Sequence, residues 1–152
     1  GGSGSDKLYG QDGNDRIYGD FGKDTIYGGN GRDLLDGGSG VDKLYGEAGM
    51  DTLFGGHGND LIYGGEGADL LSGSTGNDIL YGGGGNDTFR PIRGVGRDII
   101  ADYESGSDWI TFVTLSKSDL TIRQVGNNVK IKYEDDLLAI VQNTVAEDIT
   151  FI

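Results

Sequence analysis

Large apolar side chains recur every nine residues along the first ninety positions, at Leu8, Ile17, Ile26, Leu35, Leu44, Leu53, Ile62, Leu71, Leu80 and Phe89. A step of nine fits neither a helix repeating at about 3.6 nor a long strand alternating at about 2. It fits a unit made of one short strand and one turn. Within the strand, the apolar residue points inward and its two neighbours point outward. The other six positions are polar and glycine-rich. Their first and fourth residues are glycine and their sixth is aspartate in all ten units, giving Asp6, Asp15, Asp24, Asp33, Asp42, Asp51, Asp60, Asp69, Asp78 and Asp87.

Two turns and two strands close a coil of 18 residues, so ten units predict five stacked coils. The expected fold is all-β, a right-handed parallel β-roll with a narrow core of ten apolar side chains. The glycines suit backbone angles that a Cβ would obstruct, and they leave turn carbonyls free to point inward. Those of the second and fourth positions are Gly2, Gly4, Gly13, Gly22, Gly29, Gly31, Gly38, Gly40, Gly49, Gly56, Gly58, Gly65, Gly67, Gly76, Gly83 and Gly85. Alternate units face the same side, which lines up Asp6, Asp24, Asp42, Asp60 and Asp78 in one row and the other five aspartates in a second. A row of carboxylates repels itself unless a cation lies between its members. Ca²⁺ accepts about 6–8 oxygens in flexible geometry, whereas Mg²⁺ demands strict octahedral geometry and keeps its waters. Four gaps in each of two rows predict about eight ions. Turn capping alone, a common task for aspartate, does not require glycine, glycine and aspartate in one register ten times.

The motif G-G-x-G-x-D-x-U-x resembles the nonapeptide of the RTX (repeats-in-toxin) family of secreted bacterial proteins. The resemblance covers residues 1–90. It implies calcium held by the glycine and aspartate turns, a chain disordered in low-calcium cytosol, and export C-terminus first through type I secretion machinery. Folding then takes place outside the cell or on its surface. RTX modules attached to alginate epimerases are similar in size and layout, and there the module assists polysaccharide binding.

The pattern stops at Pro91. Beyond it, alternating apolar residues predict short strands at 98–103, 109–113, 120–125, 129–133 and 137–142, with a hairpin turn at Gly126-Asn127-Asn128. Residues 97–110 are similar to a segment that follows the repeats in many RTX proteins, with Tyr103 in place of the usual Phe. Asp102 and Asp108 are candidates for a further ion there, and turn residues otherwise. The ending Glu147-Asp148-Ile149-Thr150-Phe151-Ile152 looks like an uncleaved type I export signal. Two segments are expected, a repeat roll over 1–90 and a β-rich cap over 91–152 that covers the last strand edges. The first edge has no such cover, and the chain opens in mid-array without Met, so it reads as a piece of something longer.

Two outer positions carry patterns of their own. The ninth residue of every odd unit is tyrosine, at 9, 27, 45, 63 and 81, which predicts a ladder on one face about 4.8 Å apart. It either shields the strands or offers a flat platform to sugar, as a calcium-stabilised polysaccharide- or surface-binding module would. The seventh position drifts from Lys7 and Arg16 to Leu61, Leu70 and Ile79, so the C-terminal segment is expected to pack over that end.

Composition narrows the function classes. A net charge of −13 repels nucleic acid and anionic surfaces and attracts cations. No apolar run approaches the ~20 residues of a membrane span. Without cysteine and with the lone His57 in a variable turn, neither a disulfide framework nor a zinc site is indicated. No nucleophile–base pair, metal triad or phosphate cradle appears, so the 152 residues are expected to be non-enzymatic.

Overall fold

A computed structural model describes residues 1–92, 96–113, 115–134 and 136–152. The nonapeptides wind into a parallel β-roll whose strands stack in two sheets. Each strand pairs with the one 18 residues away, so Leu8, Ile26, Leu44, Ile62 and Leu80 stand in register in one sheet. Ile17, Leu35, Leu53, Leu71 and Phe89 do the same in the other. All ten belong to one core. Those from Ile26 to Phe89 are fully buried, while Leu8 and Ile17 at the open end are partly so.

The roll does not end at five coils. Residues Asp98–Ile100 continue the first sheet, with Ile100 beside Leu80. Trp109–Ile110 continue the second, with Ile110 beside Phe89. These make a sixth coil, and Ile100 and Ile110 extend the same buried core. The cap is therefore shorter than the spacing predicts. It is the hairpin of Thr121–Val125 and Asn128–Tyr133, followed by Asp136–Val141, which pairs parallel to Asp98–Ile100. Five of the strands expected after Pro91 are present in order, the first two trimmed to 98–100 and 109–110.

The two sheets close differently. The first grows to nine strands and ends on the antiparallel hairpin, while the second has six and ends on a single bridge between Ile110 and Phe151. Tyr103 ties that tail down. Its hydroxyl donates to the Asp108 carbonyl at 2.9 Å and accepts the Thr150 N–H at 2.8 Å.

The C-terminal segment extends the sheets end-on instead of folding back over the seventh-position side chains. Leu61 and Leu70 are half-buried by their row neighbours, and Ile79 remains 37% exposed. The tyrosine ladder forms as spaced, with successive ring centroids 4.7–5.2 Å apart and planes within 10°. Each inner ring thus has a tyrosine against both faces. That arrangement suits shielding of the strands better than a platform of open ring faces.

Candidate metal centre

The sixth-position aspartates form two columns along the turns. The backbone N–H of each donates to Oδ1 of the aspartate one coil on, at 2.8 Å for Asp6 to Asp24, Asp15 to Asp33 and Asp24 to Asp42. The chain of bonds runs to Asp78 and Asp87 and then continues. The Asp78 N–H reaches Asp98 Oδ1 at 3.3 Å, and the Asp87 N–H reaches Asp108 Oδ1 at 3.0 Å. Each column therefore has six members, one more than the repeat supplies.

One oxygen of each carboxylate is thereby fixed, and the other is left. In all ten repeat aspartates Oδ2 is buried and meets no donor from the protein. A buried carboxylate oxygen without a partner is costly, and ten in register is a site pattern rather than a packing fault. At eight of the ten first-position glycines a carbonyl oxygen borders the same space as Oδ2. A Cβ built on Gly1 would lie 2.6 Å from the Gly19 carbonyl oxygen and 2.9 Å from Asp6 Oδ2. At Gly28 it would lie 2.7 Å from the Gly46 carbonyl and 2.5 Å from Asp33 Oδ2. The first-position glycine therefore leaves open a cradle lined by carboxylate and carbonyl oxygens. Its φ is ordinary, so space alone demands the glycine there.

The second- and fourth-position glycines have another task. The fourth has φ between +125° and +152° in all ten units, a region closed to other residues. The second is also left-handed throughout, and the Gly38 carbonyl accepts the His57 N–H at 2.7 Å in a ladder between turns. Sequence reasoning took the fixed glycines, the first position included, to leave carbonyls free to point inward, but named only those of the second and fourth positions as candidate ligands. The fixed first-position glycine was the signal for its own carbonyl.

Electrostatics agrees with the geometry. Burial pushes the carboxyls of Asp51 and Asp87 up to about 6, and those of Asp60 and Asp69 to about 7, against the pull of the N–H each accepts. Asp98 rises to about 8, by burial first and then by the charge of Asp78. Burial likewise raises Asp42, Asp78 and Asp108. A cation between neighbours would offset both the burial and the mutual repulsion of these carboxylates.

The donor set fits a hard cation that takes carboxylates and carbonyls together. Among the described residues, no three His, Cys, Asp or Glu side chains converge as in an all-carboxylate or zinc centre. Of the two candidates beyond the repeat, Asp108 joins the column of N–H to Oδ1 bonds, but its Oδ2 accepts the Glu104 N–H at 2.8 Å and so, unlike that of the repeat aspartates, is already engaged. Asp102 joins no column. Its two oxygens accept the N–H groups of Gly82 and Gly83 at 2.8 and 3.0 Å, so it caps a turn. Asp98 takes the place expected of it. His57 is exposed, with Nδ1 2.7 Å from Thr75 Oγ1.

The model of the RTX calcium-binding nonapeptide repeat matches residues 1–35, 36–71 and 63–90. The chain belongs to this RTX family. It is a calcium-binding repeat module, of a kind typical of secreted bacterial proteins. Among solved structures, it is similar to the R3 subunit of the mannuronan C5-epimerase AlgE6 from Azotobacter vinelandii, at 24% identity and a TM-score of 0.48, over 92% of this chain and 80% of that one. It is also similar to the extracellular lipase LipA of Serratia marcescens, at 15% identity and a TM-score of 0.45, over 89% of this chain and 39% of that one. No curated protein matches the RTX chain.

Proposed function

We propose that the chain is a calcium-gated folding module of a larger secreted bacterial protein. The observation that carries this is the double column of ten buried Oδ2 atoms that meet no protein donor. The open Oδ2 atoms number five to a column, so the four gaps in each fit about eight ions. No such site exists in an unfolded chain, and ion affinity therefore acts as folding free energy. A glycine-rich chain of net charge −13 has the makeup of a disordered one until the cation arrives. Extracellular calcium modules work at roughly 10⁻⁴–10⁻³ M, which would keep the chain unfolded during passage through type I secretion machinery and fold it outside. The module itself is a non-catalytic scaffold.

Far-UV circular dichroism during a calcium titration tests this, with magnesium as control. The expected result is one cooperative coil-to-β transition between about 0.1 and 10 mM Ca²⁺ that magnesium does not reproduce. A chain already fully β-structured in chelator would overturn the gating.

A further inference from the structure

We propose that the outer face of the nine-stranded sheet is self-complementary, and that a second copy of this chain docks on it, tyrosine ladder against tyrosine ladder. In the strands of the first five coils, burial alternates so that three residues per coil point outward. Register stacks them into three rows, with the tyrosines in the middle. On one side run Lys7, Thr25, Lys43, Leu61 and Ile79. On the other run Gln11, Gly29, Glu47, Gly65 and Gly83.

The two outer rows are counterparts. Two copies laid face to face about a two-fold axis along the tyrosines keep coil against coil and exchange left for right. Each residue of the first row then meets the residue four places further on in the other copy. Lys43 meets Glu47, an opposite charge. Bulky Leu61 and Ile79 meet Gly65 and Gly83, which have no side chain to obstruct them. Thr25 meets Gly29, and Lys7 meets Gln11 with exposed Asp12 beside it. No like charges fall together in these rows. Copies running in opposite directions about the third coil would instead set Lys43 on Lys43 and Glu47 on Glu47, so charge selects the parallel pair.

A single copy leaves these groups unused. Lys43 and Glu47 are exposed, and neither forms an ion pair among the described residues. Ile79 is 37% exposed. The stacked rings cover one another's faces, so what they offer is edges and hydroxyls, a surface suited to another ladder. Five coils about 4.8 Å apart, each strip five residues wide at about 3.3 Å, give a footprint of roughly 400 Å² per copy. Side-chain relief brings the pair towards the ~1,000 Å² at which specific interfaces begin, so the dimer is weak and reversible. The calcium of the folded roll offsets the net charge of −13, which would otherwise hold two copies apart.

The proposal rests on the calcium-loaded roll being the folded state, so sedimentation equilibrium and circular dichroism are read on the same samples in calcium. Monomer should pass to dimer between about 5 and 500 µM. Lys43→Glu and Glu47→Lys should each weaken the dimer about tenfold, at roughly threefold for each of two attractions turned to repulsions. An equimolar mixture of these two variants should recover it, because each then meets its opposite charge. Arg16→Glu makes the same change of charge on the other sheet and should leave the dimer as it was. A chain that stays disordered in calcium defeats the folding reading and this one together. A folded chain that stays monomeric overturns this proposal alone, even where dextran sulfate or polyglutamate alters its tyrosine fluorescence and so claims the face for another partner. Association that neither charge swap weakens, or that the mixture fails to recover, runs through another surface and overturns it equally.

Discussion

The same aspartate column is built twice in this molecule, once by a strict nine-residue repeat and once by a segment with no repeat at all. In the repeat, Asp60 and Asp78 are 18 residues apart and joined by an N–H to Oδ1 bond of 2.7 Å. Past Pro91 the step becomes 20 residues to Asp98 and 21 to Asp108. The bond to Asp98 lengthens to 3.3 Å, while that to Asp108, at 3.0 Å, equals the Asp69 to Asp87 bond within the repeat. The strands stay in register regardless, with Ile100 on Leu80 and Ile110 on Phe89. The comparison teaches that period is not the requirement. The requirement is an inward apolar residue two positions after an aspartate, presented to the coil below.

The sharpest way to break the comparison is to fill the cradle in one region and open space in the other. A Cβ on Gly55 would lie 2.5 Å from Asp60 Oδ2 and 2.7 Å from the Gly73 carbonyl, two groups that cannot yield without leaving the column. Gly55→Ala should therefore abolish calcium-driven folding in the low-millimolar range. Gly106, in the sixth coil, has φ +87° but nothing within 4 Å of such a Cβ. Gly106→Ala should cost only backbone strain, about 1–2 kcal/mol. Calcium titrations by circular dichroism check both, and equal midpoints would remove the cradle from the account.

Core truncation comes next. Ile62 and Ile110 are both fully buried, one amid the repeat and one in the irregular coil. Replacing either with alanine should cost about 2–5 kcal/mol in calcium. Thermal melts that show a loss for Ile62 and none for Ile110 would mean that the sixth coil is an ornament and not part of the cooperative unit.

Much of this could be read from the chain, and the part that could not has a physical cause. Leu8 to Phe89 and Asp6 to Asp87 were legible because each nine-residue step adds the same strand and the same turn. Asp98 was missed because turns around Pro91 and Tyr103 lengthened the step, although Gly96-Arg97-Asp98-Ile99-Ile100 and Gly106-Ser107-Asp108-Trp109-Ile110 keep the local G-x-D-x-U order. Asp102 drew attention by its spacing, but no sequence rule separates a ligand from a carboxylate that two turn N–H groups already occupy. The invariant first-position glycines were legible as a pattern, but which carbonyl stands against each follows from coil-on-coil stacking and becomes visible only in three dimensions.

Acid sharpens the comparison without a mutation. An unfolded aspartate titrates near 3.9, whereas burial holds Asp60 and Asp69 at about 7 and Asp98 at about 8 in the folded roll. Raised folded values mean that the roll binds protons more readily than the unfolded chain. In chelator, the burden of buried charge is therefore full above pH 8 and is relieved as pH falls from about 8 towards 4. The chelated chain should gain β-structure on going from pH 8 to pH 5, with the Asp78–Asp98 pair of the irregular coil taking up its proton first. With calcium present the sign reverses, because protons compete for the same oxygens, and the calcium midpoint should rise as pH falls. A chelated chain no more ordered at pH 5 than at pH 8 would contradict the burial.

The smallest effect concerns turns that the repeat left imperfect. Glu47 occupies a second position with φ +75°, where six of the ten units have glycine. It is exposed and holds no ion-pair partner among the described residues, so its side chain gives little back for the left-handed backbone. Glu47→Gly should relieve the strain of a non-glycine residue there, offset by the greater freedom glycine gains when unfolded, for a net gain of about 0.5 kcal/mol. Glu134, at φ +53° in the cap, is the matching position outside the repeat, but it has interactions of its own to lose. Glu134→Gly should then gain less or cost stability. Denaturant midpoints in saturating calcium can resolve the difference, and a larger gain at Glu134 than at Glu47 would show that turn strain, like the aspartate column, is indifferent to the repeat.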